Sequence, residues 1–208
     1  LWTAVNLKQR DPSVEIAIIE KDICGGGASG RNGGFCMTWM SKATSLLKAS
    51  GGQEGVRLLR ESENAVTAIG EFCLANQIDC QFRHDGWVWT ASNDSQMGSW
   101  SETIEKLDKL GLHPYEVLDT DALSSLTGSH SFTGGVLERG VATVQPALLA
   151  RGLRRVALDR GVKIFENTPM KELIRSTPPK VRIKGGTIDA DCVVLALNAW
   201  AHELPEFR

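Results

Sequence analysis

An acidic residue and a run of glycines carry the first chemical signal in this sequence. Glu20 ends the apolar stretch "VEIAIIE", and "CGGGASGRNGG" follows, with six glycines among residues 25–34. A carboxylate at the end of a strand can accept hydrogen bonds from ribose hydroxyls, as in dinucleotide-binding βαβ units. The same residue can equally cap a strand at the surface. A glycine-dense loop lets backbone approach a ligand closely or adopt positive φ. Its small side chains leave main-chain N–H groups free to face an anion. The competing reading is a flexible surface loop. Arg31 and Asn32 are the loop's polar members, suited to phosphate oxygens or the polar atoms of a pterin-like ring, or else simply solvated.

A second set lies mid-chain. In "QFRHDGWVWTA", strand alternation puts Trp87 and Trp89 on one face. That face reads either as an aromatic wall for an amine, through cation–π attraction, or as ordinary sheet packing. His84, between Arg83 and Asp85, reads as a turn residue, and His113, His130 and His202 stand isolated. No Ser-His-Asp, zinc or phosphate-loop pattern occurs in the sequence, so neither a metal site nor a catalytic residue is assigned.

The elements that must position these residues follow from periodicity. "LWTAVNLKQRDPS" predicts a helix stopped at Asp11-Pro12, and residues 14–20 a buried strand. After the glycine loop, residues 35–49 are expected to be helical. Residues 54–77 give the strongest helix, with Leu59, Val66, Ile69 and Cys73 on one stripe. A strand around the Asp85-Gly86 turn, a helix closed by Gly111, a short helix opened by Asp119 or Thr120, and the strand "TGGVLER" follow. From residue 141 the pattern is strand, helix, strand, with Pro146 in the first helical turn and Gly161 at the helix end. A small antiparallel excursion turning at Gly185-Gly186 leads to the apolar run "CVVLAL", read as a strand returning to the core. Strand–helix alternation at both ends around a different middle predicts a doubly wound α/β domain with residues of about 50 to 140 inserted.

At 208 residues, 42% hydrophobic and 23% charged, the chain has the composition of a globular protein with one good core or two small ones. A net charge of −2 gives no reason to expect nucleic acid or an acidic membrane as partner. No apolar run reaches the length of a membrane span. Five cysteines without C-x-x-C spacing imply free thiols in a reducing compartment, so a cytoplasmic location is expected. The chain opens on Leu1, already inside a predicted helix, and closes on "NAWAHELPEFR" without a final element. A fragment of a longer protein is therefore expected, with the first strand and its G-x-G-x-x-G turn upstream.

Three stretches in order, "IIEKDICGGGASGRNGG", "ATVQPALLARGLRRVALDRGVKIFENTPM" and "DADCVVLALNAWAHEL", together resemble the D-amino-acid oxidase/glycine oxidase/sarcosine oxidase (DAO) family of FAD enzymes. "ASGRNGG" is most similar to the gamma-glutamylputrescine oxidoreductase branch. The resemblance spans essentially the whole chain. It implies an FAD-binding Rossmann-like domain of the glutathione-reductase type, interrupted by a substrate-domain segment. Residues 1–50 and 141–208 would be its two parts and 51–140 the insertion. It places Glu20, with Lys21, at the ribose; Ala28, Ser29, Gly30, Arg31, Asn32 and Gly33 beside the pyrophosphate and flavin; Thr168, Pro169 and Met170 at the adenine; and Ala196, Asn198 and Trp200 at a strand end near the cofactor. Asn198 stands where the family usually has glycine. The implied chemistry is removal of a hydride equivalent from the carbon beside an amine, then imine hydrolysis and reoxidation by oxygen or another acceptor. FAD is expected to be non-covalent, since Phe35 offers no nucleophile and Cys36 reads as a structural thiol. The partner is a small amine or amino acid, received by the inserted segment through Trp87 and Trp89; the oligomeric state is unassigned. Two alternatives stay open: a nicotinamide-dependent Rossmann dehydrogenase, and a non-catalytic fragment or binding module.

Overall fold

The computed structural model describes residues 1–204, so the last four residues of the 141–208 segment lie outside the described residues. In chain order the elements are α1 (Trp2–Arg10), β1 (Ala17–Ile19), β2 (Phe35–Cys36), α2 (Ala43–Ser50), α3 (Gly52–Ala75), β3 (Trp87–Ala91), α4 (Ser101–Asp108), β4 (Tyr115–Leu118), α5 (Thr120–Thr127), β5 (Gly134–Glu138), β6 (Ala142–Thr143), α6 (Pro146–Asp159), β7 (Lys163–Phe165), β8 (Glu172–Ile174), β9 (Lys180–Ile183) and β10 (Gly186–Asp189). They form a mixed helix-and-sheet fold in two units. One is Leu1–Gly27 with Ala157–Arg208, the other Ala28–Val156.

In the first unit, α1 stops as expected. Asp11 turns extended ahead of Pro12 while its N–H still donates to the Leu7 carbonyl at 2.8 Å. Ala4 and Val5 are buried, as are Ala157 and Val162, and Arg160 Nη1 donates to the Val5 carbonyl at 3.0 Å. The strand expected over residues 14–20 is paired only over β1, which runs parallel to β7 with Ile18 opposite Ile164. The antiparallel excursion is the sheet β10-β9-β8, with Val181 buried in its middle strand. The run "CVVLAL" is not a strand. It finds no neighbour to pair with among the described residues, and Val194 is 60% exposed. Apolar composition supplies the face of a strand but not the ladder that makes one.

The second unit is built on the antiparallel sheet β3-β5-β4. β5 is buried along its whole length, because helices cover both faces. Leu118, Leu123 and Leu137 cluster on the α5 side with Val88 and Phe132. Ala91, Trp100 and Val136 cluster on the other with Trp89, Ile104 and Tyr115. That second face continues into Met40, Ala43, Leu59, Leu107 and Leu112 between α2, α3 and α4. Asp119 caps α5, accepting from Ala122 N–H at 2.8 Å, as N-cap aspartates do. The predicted stripe of α3 buries Leu59, Val66 and Cys73. The helix expected over residues 35–49 begins only at Ala43. Phe35 and Cys36 pair instead with Thr143 and Ala142, and one 3₁₀ turn at Met40–Lys42 leads into α2. A partner a hundred residues away overrides the local helical preference.

Candidate functional site

In the first unit the candidate residues converge at the carboxyl ends of the parallel pair β1–β7, the edge at which open α/β sheets take ligands. Glu20 N–H donates to the Phe165 carbonyl (2.9 Å) and its carbonyl accepts from Thr168 N–H (2.7 Å). Asn167 N–H reaches the Asp22 carbonyl (2.8 Å), and Glu166 Oε1 accepts from Cys24 N–H (2.9 Å). Residues 20–24 and the turn 165–170 are thereby laced together, with Thr168, Pro169 and Met170 half-buried. The half-buried Glu20 carboxylate braces its own turn through Oε1, which accepts from Asp22 N–H at 2.9 Å. Its Oε2 accepts no hydrogen bond among the described residues and can take one from a hydroxyl donor. Lys21 is exposed, and its Nζ lies 5.9 Å from the centroid of the Trp200 ring. The cation–π contact brings the third predicted stretch to the first.

Asn198 opens the short helical turn Asn198–Glu203 with φ at +52°. Left-handed backbone is what glycine adopts freely and asparagine tolerates best among the rest. The departure from glycine at this position is thus conformationally conservative. Ala196 and Trp200 are exposed, Trp200 at 67%.

The glycine loop enters the second unit at Ala28–Gly30, a single 3₁₀ turn. It is tightly closed. Asn32 Nδ2 donates to the carbonyls of Ala28 (3.0 Å) and Ser29 (3.1 Å), while Asn32 Oδ1 accepts from Gly34 N–H (2.8 Å). Gly34, buried at φ +78°, passes so near β6 that a Cβ there would sit 2.1 Å from the Val144 carbonyl oxygen. Gly27, by contrast, has nothing within 4 Å of where its Cβ would be. Its lack of a side chain is not dictated by the protein's own packing. Ser29, Arg31 and Gly33 are exposed, and Arg31 forms no ion pair among the described residues. Within the first unit, the open Cβ position at Gly27 and the Glu20 carboxylate suit a ribose-bearing ligand; within the second, small exposed residues and Arg31 suit a phosphate.

Beyond the loop, a groove of ≈ 320 Å³ is lined by Cys36, Met37 and Trp39 together with Leu58, Glu61, Ser62, Ala65, Val66 and Ile69 of α3. Burial pushes the Cys36 thiol up, which disfavours a reactive thiolate. A wider depression of ≈ 770 Å³ at the start of α3 contains none of the residues singled out in the sequence.

Trp87 and Trp89 stand side by side on β3 with ring centroids 6.0 Å apart. The Trp89 ring also meets Trp100 edge-on at 6.3 Å, inside the core cluster with Ala91 and Val136. His84 and Asp85 are exposed, and Asp85 pairs with Arg83 at 3.0 Å. Sequence reasoning missed Glu138. It occupies one cross-strand row with Trp87 and Tyr115, is 1% exposed, and accepts a hydrogen bond from Thr38 Oγ1. Thr38 Oγ1 in turn accepts from Met40 N–H (3.1 Å), so the carboxyl pins the segment that follows the glycine loop. Glu138 Oε2 and the Tyr115 hydroxyl are buried without an aligned partner. Burial pushes both groups above their ordinary ranges; the Glu138 charge adds to the rise at Tyr115 and that of Glu63 to the rise at Glu138, where the Thr38 and Tyr115 hydroxyls pull the other way. The available signal was parity: Glu138 shares its face of the strand with Val136, and every other residue of that strand is uncharged. Among the described residues no cluster of His, Cys, Asp and Glu could hold a metal ion, and no helix is long and apolar enough to cross a membrane.

Over 187 residues the chain is 29% identical to gamma-glutamylputrescine oxidoreductase of Escherichia coli, covering 89% of this chain and 44% of that protein. The fold superposes on glycine oxidase from Geobacillus kaustophilus with a TM-score of 0.78 at 22% identity, over 98% of this chain and 53% of the other. It superposes on L-amino acid deaminase from Proteus myxofaciens with a TM-score of 0.76 at 20% identity, over 96% and 43%. The chain thus spans about half the length of the relatives it matches. The family model described as DAO, FAD dependent oxidoreductase, matches residues 1–208. The chain belongs to the DAO family of FAD-dependent oxidoreductases.

Proposed function

We propose that the protein containing this chain oxidises a C–N bond of a small amine or amino acid, using non-covalently held FAD. The observation that carries the reading is the family match over the full chain, joined to a carboxylate with one free oxygen at the carboxyl end of β1. When bound, FAD supplies the acceptor for the hydride equivalent leaving the carbon beside the nitrogen; the resulting imine hydrolyses, with oxygen or another acceptor as oxidant.

Within that reading, Glu20 Oε2 accepts from a ribose hydroxyl, with Lys21 beside it. Thr168, Pro169 and Met170 meet the adenine through backbone and apolar contact. Ala28, Ser29, Gly30, Arg31, Asn32 and Gly33 line the pyrophosphate and flavin. There Asn32 acts by holding the loop's shape and Arg31 by its charge. Ala196, Asn198 and Trp200 form a further cofactor-facing stretch. Trp87 is the substrate-facing part of an aromatic wall, and Trp89, braced by Trp100, sets its angle. Residues 1–50 and 141–208 are the FAD-binding parts and residues 51–140 an inserted substrate-domain segment. The elevated Cys36 thiol favours a non-covalent flavin. Five free cysteines favour a cytoplasmic location.

The test uses the full-length protein. It should purify yellow, release its flavin on denaturation, and yield peroxide or reduce a dye with one class within a panel of amines, N-methyl amino acids and D- and L-amino acids. A colourless protein that takes up no added FAD, or one whose NAD(P)H fluorescence titration saturates instead, would overturn the proposal.

A further inference from the structure

Two of the five thiols meet inside the second unit. Cys73 lies in the last turn of α3 and Cys80 follows the turn that leaves it. Their Sγ atoms are 3.5 Å apart, and the residues are 3% and 1% exposed. The backbone keeps them together, since Ile78 N–H donates to the Cys73 carbonyl (2.8 Å) and Cys80 N–H to the Ile78 carbonyl (3.1 Å). Gln77 and Gln81 flank the turn with φ at +52° and +54°, a left-handed conformation that side chains disfavour. Cys80 is also tied onward. Its carbonyl accepts from Gln145 N–H at 2.7 Å, and Gln145 Oε1 caps α6 by accepting from Leu148 N–H at 2.7 Å. A disulfide bond is about 2.05 Å long, so the sulfurs need close only about 1.5 Å.

We propose that Cys73 and Cys80 form a redox-modification site, in which a hydroperoxide oxidises the dithiol to an intramolecular disulfide that clips the end of α3 to the chain beside the α6 cap. In the first step one sulfur attacks a peroxide oxygen. The O–O bond breaks, water leaves, and a sulfenic acid forms. The second sulfur then displaces the sulfenic oxygen as a second water, and the S–S bond forms. Two thiols and one hydrogen peroxide give one disulfide and two waters, with two electrons passing from sulfur to oxygen. Burial and the contact with Cys80 push the Cys73 thiol up to about 12. Little Cys73 thiolate exists at neutral pH, so its attack on peroxide is slow, which suits a thiol that stays reduced until oxidant accumulates.

The experiment uses the full-length protein with added hydrogen peroxide, so its outcome does not depend on whether the protein itself makes peroxide. Native treatment with N-ethylmaleimide first blocks the exposed Cys192 and the half-buried Cys36. The protein is then exposed to peroxide for minutes to hours, unfolded in a second, heavier maleimide, and peptide-mapped. Untreated protein should carry the heavy label on Cys73 and Cys80. Peroxide-treated protein should lose both labels together, show a mass lower by two hydrogens, and yield one cross-linked peptide joining the two residues, reversed by dithiothreitol. The same peroxide should raise the midpoint of thermal unfolding of the wild type and leave that of Cys80→Ser unchanged. If Cys80→Ser does not fold, the wild-type peptide map alone decides. Full heavy labelling of both cysteines after peroxide, or separate conversion of either to sulfinic acid, would overturn the proposal.

Discussion

Replacing Gly34 by alanine should be among the most damaging single-atom additions to this chain, and Gly27→Ala among the least. At Gly34 the new methyl would lie 2.1 Å from the Val144 carbonyl oxygen, against an ordinary carbon–oxygen contact of about 3.4 Å. The obstacle is backbone, so no rotamer change relieves it. Moving the chain away breaks Val144 N–H to the Gly34 carbonyl (2.8 Å) and Gly34 N–H to Asn32 Oδ1 (2.8 Å). It also strains the two-residue pairing of β2 with β6. Left-handed φ adds about 1–2 kcal/mol for a residue with a Cβ, and each lost hydrogen bond about 1 kcal/mol. The combined cost is about 3–5 kcal/mol, which lowers the thermal midpoint by roughly 10 °C for a protein of this size. Gly27→Ala meets nothing and has no positive φ, so stability should change by less than about 0.5 kcal/mol. Its effect should appear in flavin affinity alone, if a ligand approaches that backbone. Urea unfolding of the apoprotein and FAD titration by flavin fluorescence separate the two. Equal stability of Gly34→Ala and wild type would refute the packing argument, and an unchanged FAD affinity in Gly27→Ala would refute the cofactor assignment of that turn.

Removing the acceptor in Glu20→Ala should weaken FAD binding about 10- to 100-fold, the worth of hydrogen bonds to a charged group, with Glu20→Gln losing less; an unchanged dissociation constant would move the ribose elsewhere. The raised carboxyl of Glu138 contributes stability that is fully present below the ordinary glutamate range and is lost as pH rises through its folded value. Glu138→Gln should therefore gain on wild type as pH rises, at about 1.4 kcal/mol per unit by which the folded carboxyl is raised, and parallel pH profiles of the urea midpoints would refute this. Asn198→Gly should be close to neutral and Asn198→Val destabilising by about 1–2 kcal/mol, because only the latter opposes the left-handed backbone; equal thermal midpoints for the two would contradict it.

What the sequence made legible and what it hid divide along one physical line. Features fixed within a few residues of chain were readable: the stop of α1 at Asp11-Pro12, the stripe of α3, the start of α5 at Asp119 or Thr120, and the α6 boundaries between Pro146 and Gly161. Features fixed by a distant partner were not. Phe35 and Cys36 look helical until Ala142 and Thr143 claim them, and "CVVLAL" looks like a strand but lacks a neighbour. Glu138 was hidden for the same reason. A glutamate at the end of an apolar strand reads as a solvated terminus, and only the rows from Trp87 and Tyr115 on either side bury it.

The glycine loop shows how this line cuts through a functional motif. Composition alone suggests that residues 25–34 are soft and that Asn32 is free to meet a ligand. The three hydrogen bonds from the Asn32 side chain and the fit of Gly34 beneath Val144 make the loop's exit stiff instead. A stiff loop is the better cofactor cradle, because main-chain donors held in place lose little entropy when a phosphate arrives. Of the two polar side chains in the loop, Asn32 on this reading acts one step removed, by fixing the backbone. On the proposed reading, direct contact falls to Arg31 and to the main chain at Ala28, Ser29 and Gly30. Asn32→Ala should then loosen FAD binding and lower the stability of the apoprotein together, by about 1–2 kcal/mol in unfolding, whereas Arg31→Ala should weaken FAD binding at unchanged stability. If the two variants behaved alike in apoprotein unfolding, the division between a residue that shapes the loop and one that meets the ligand would fail.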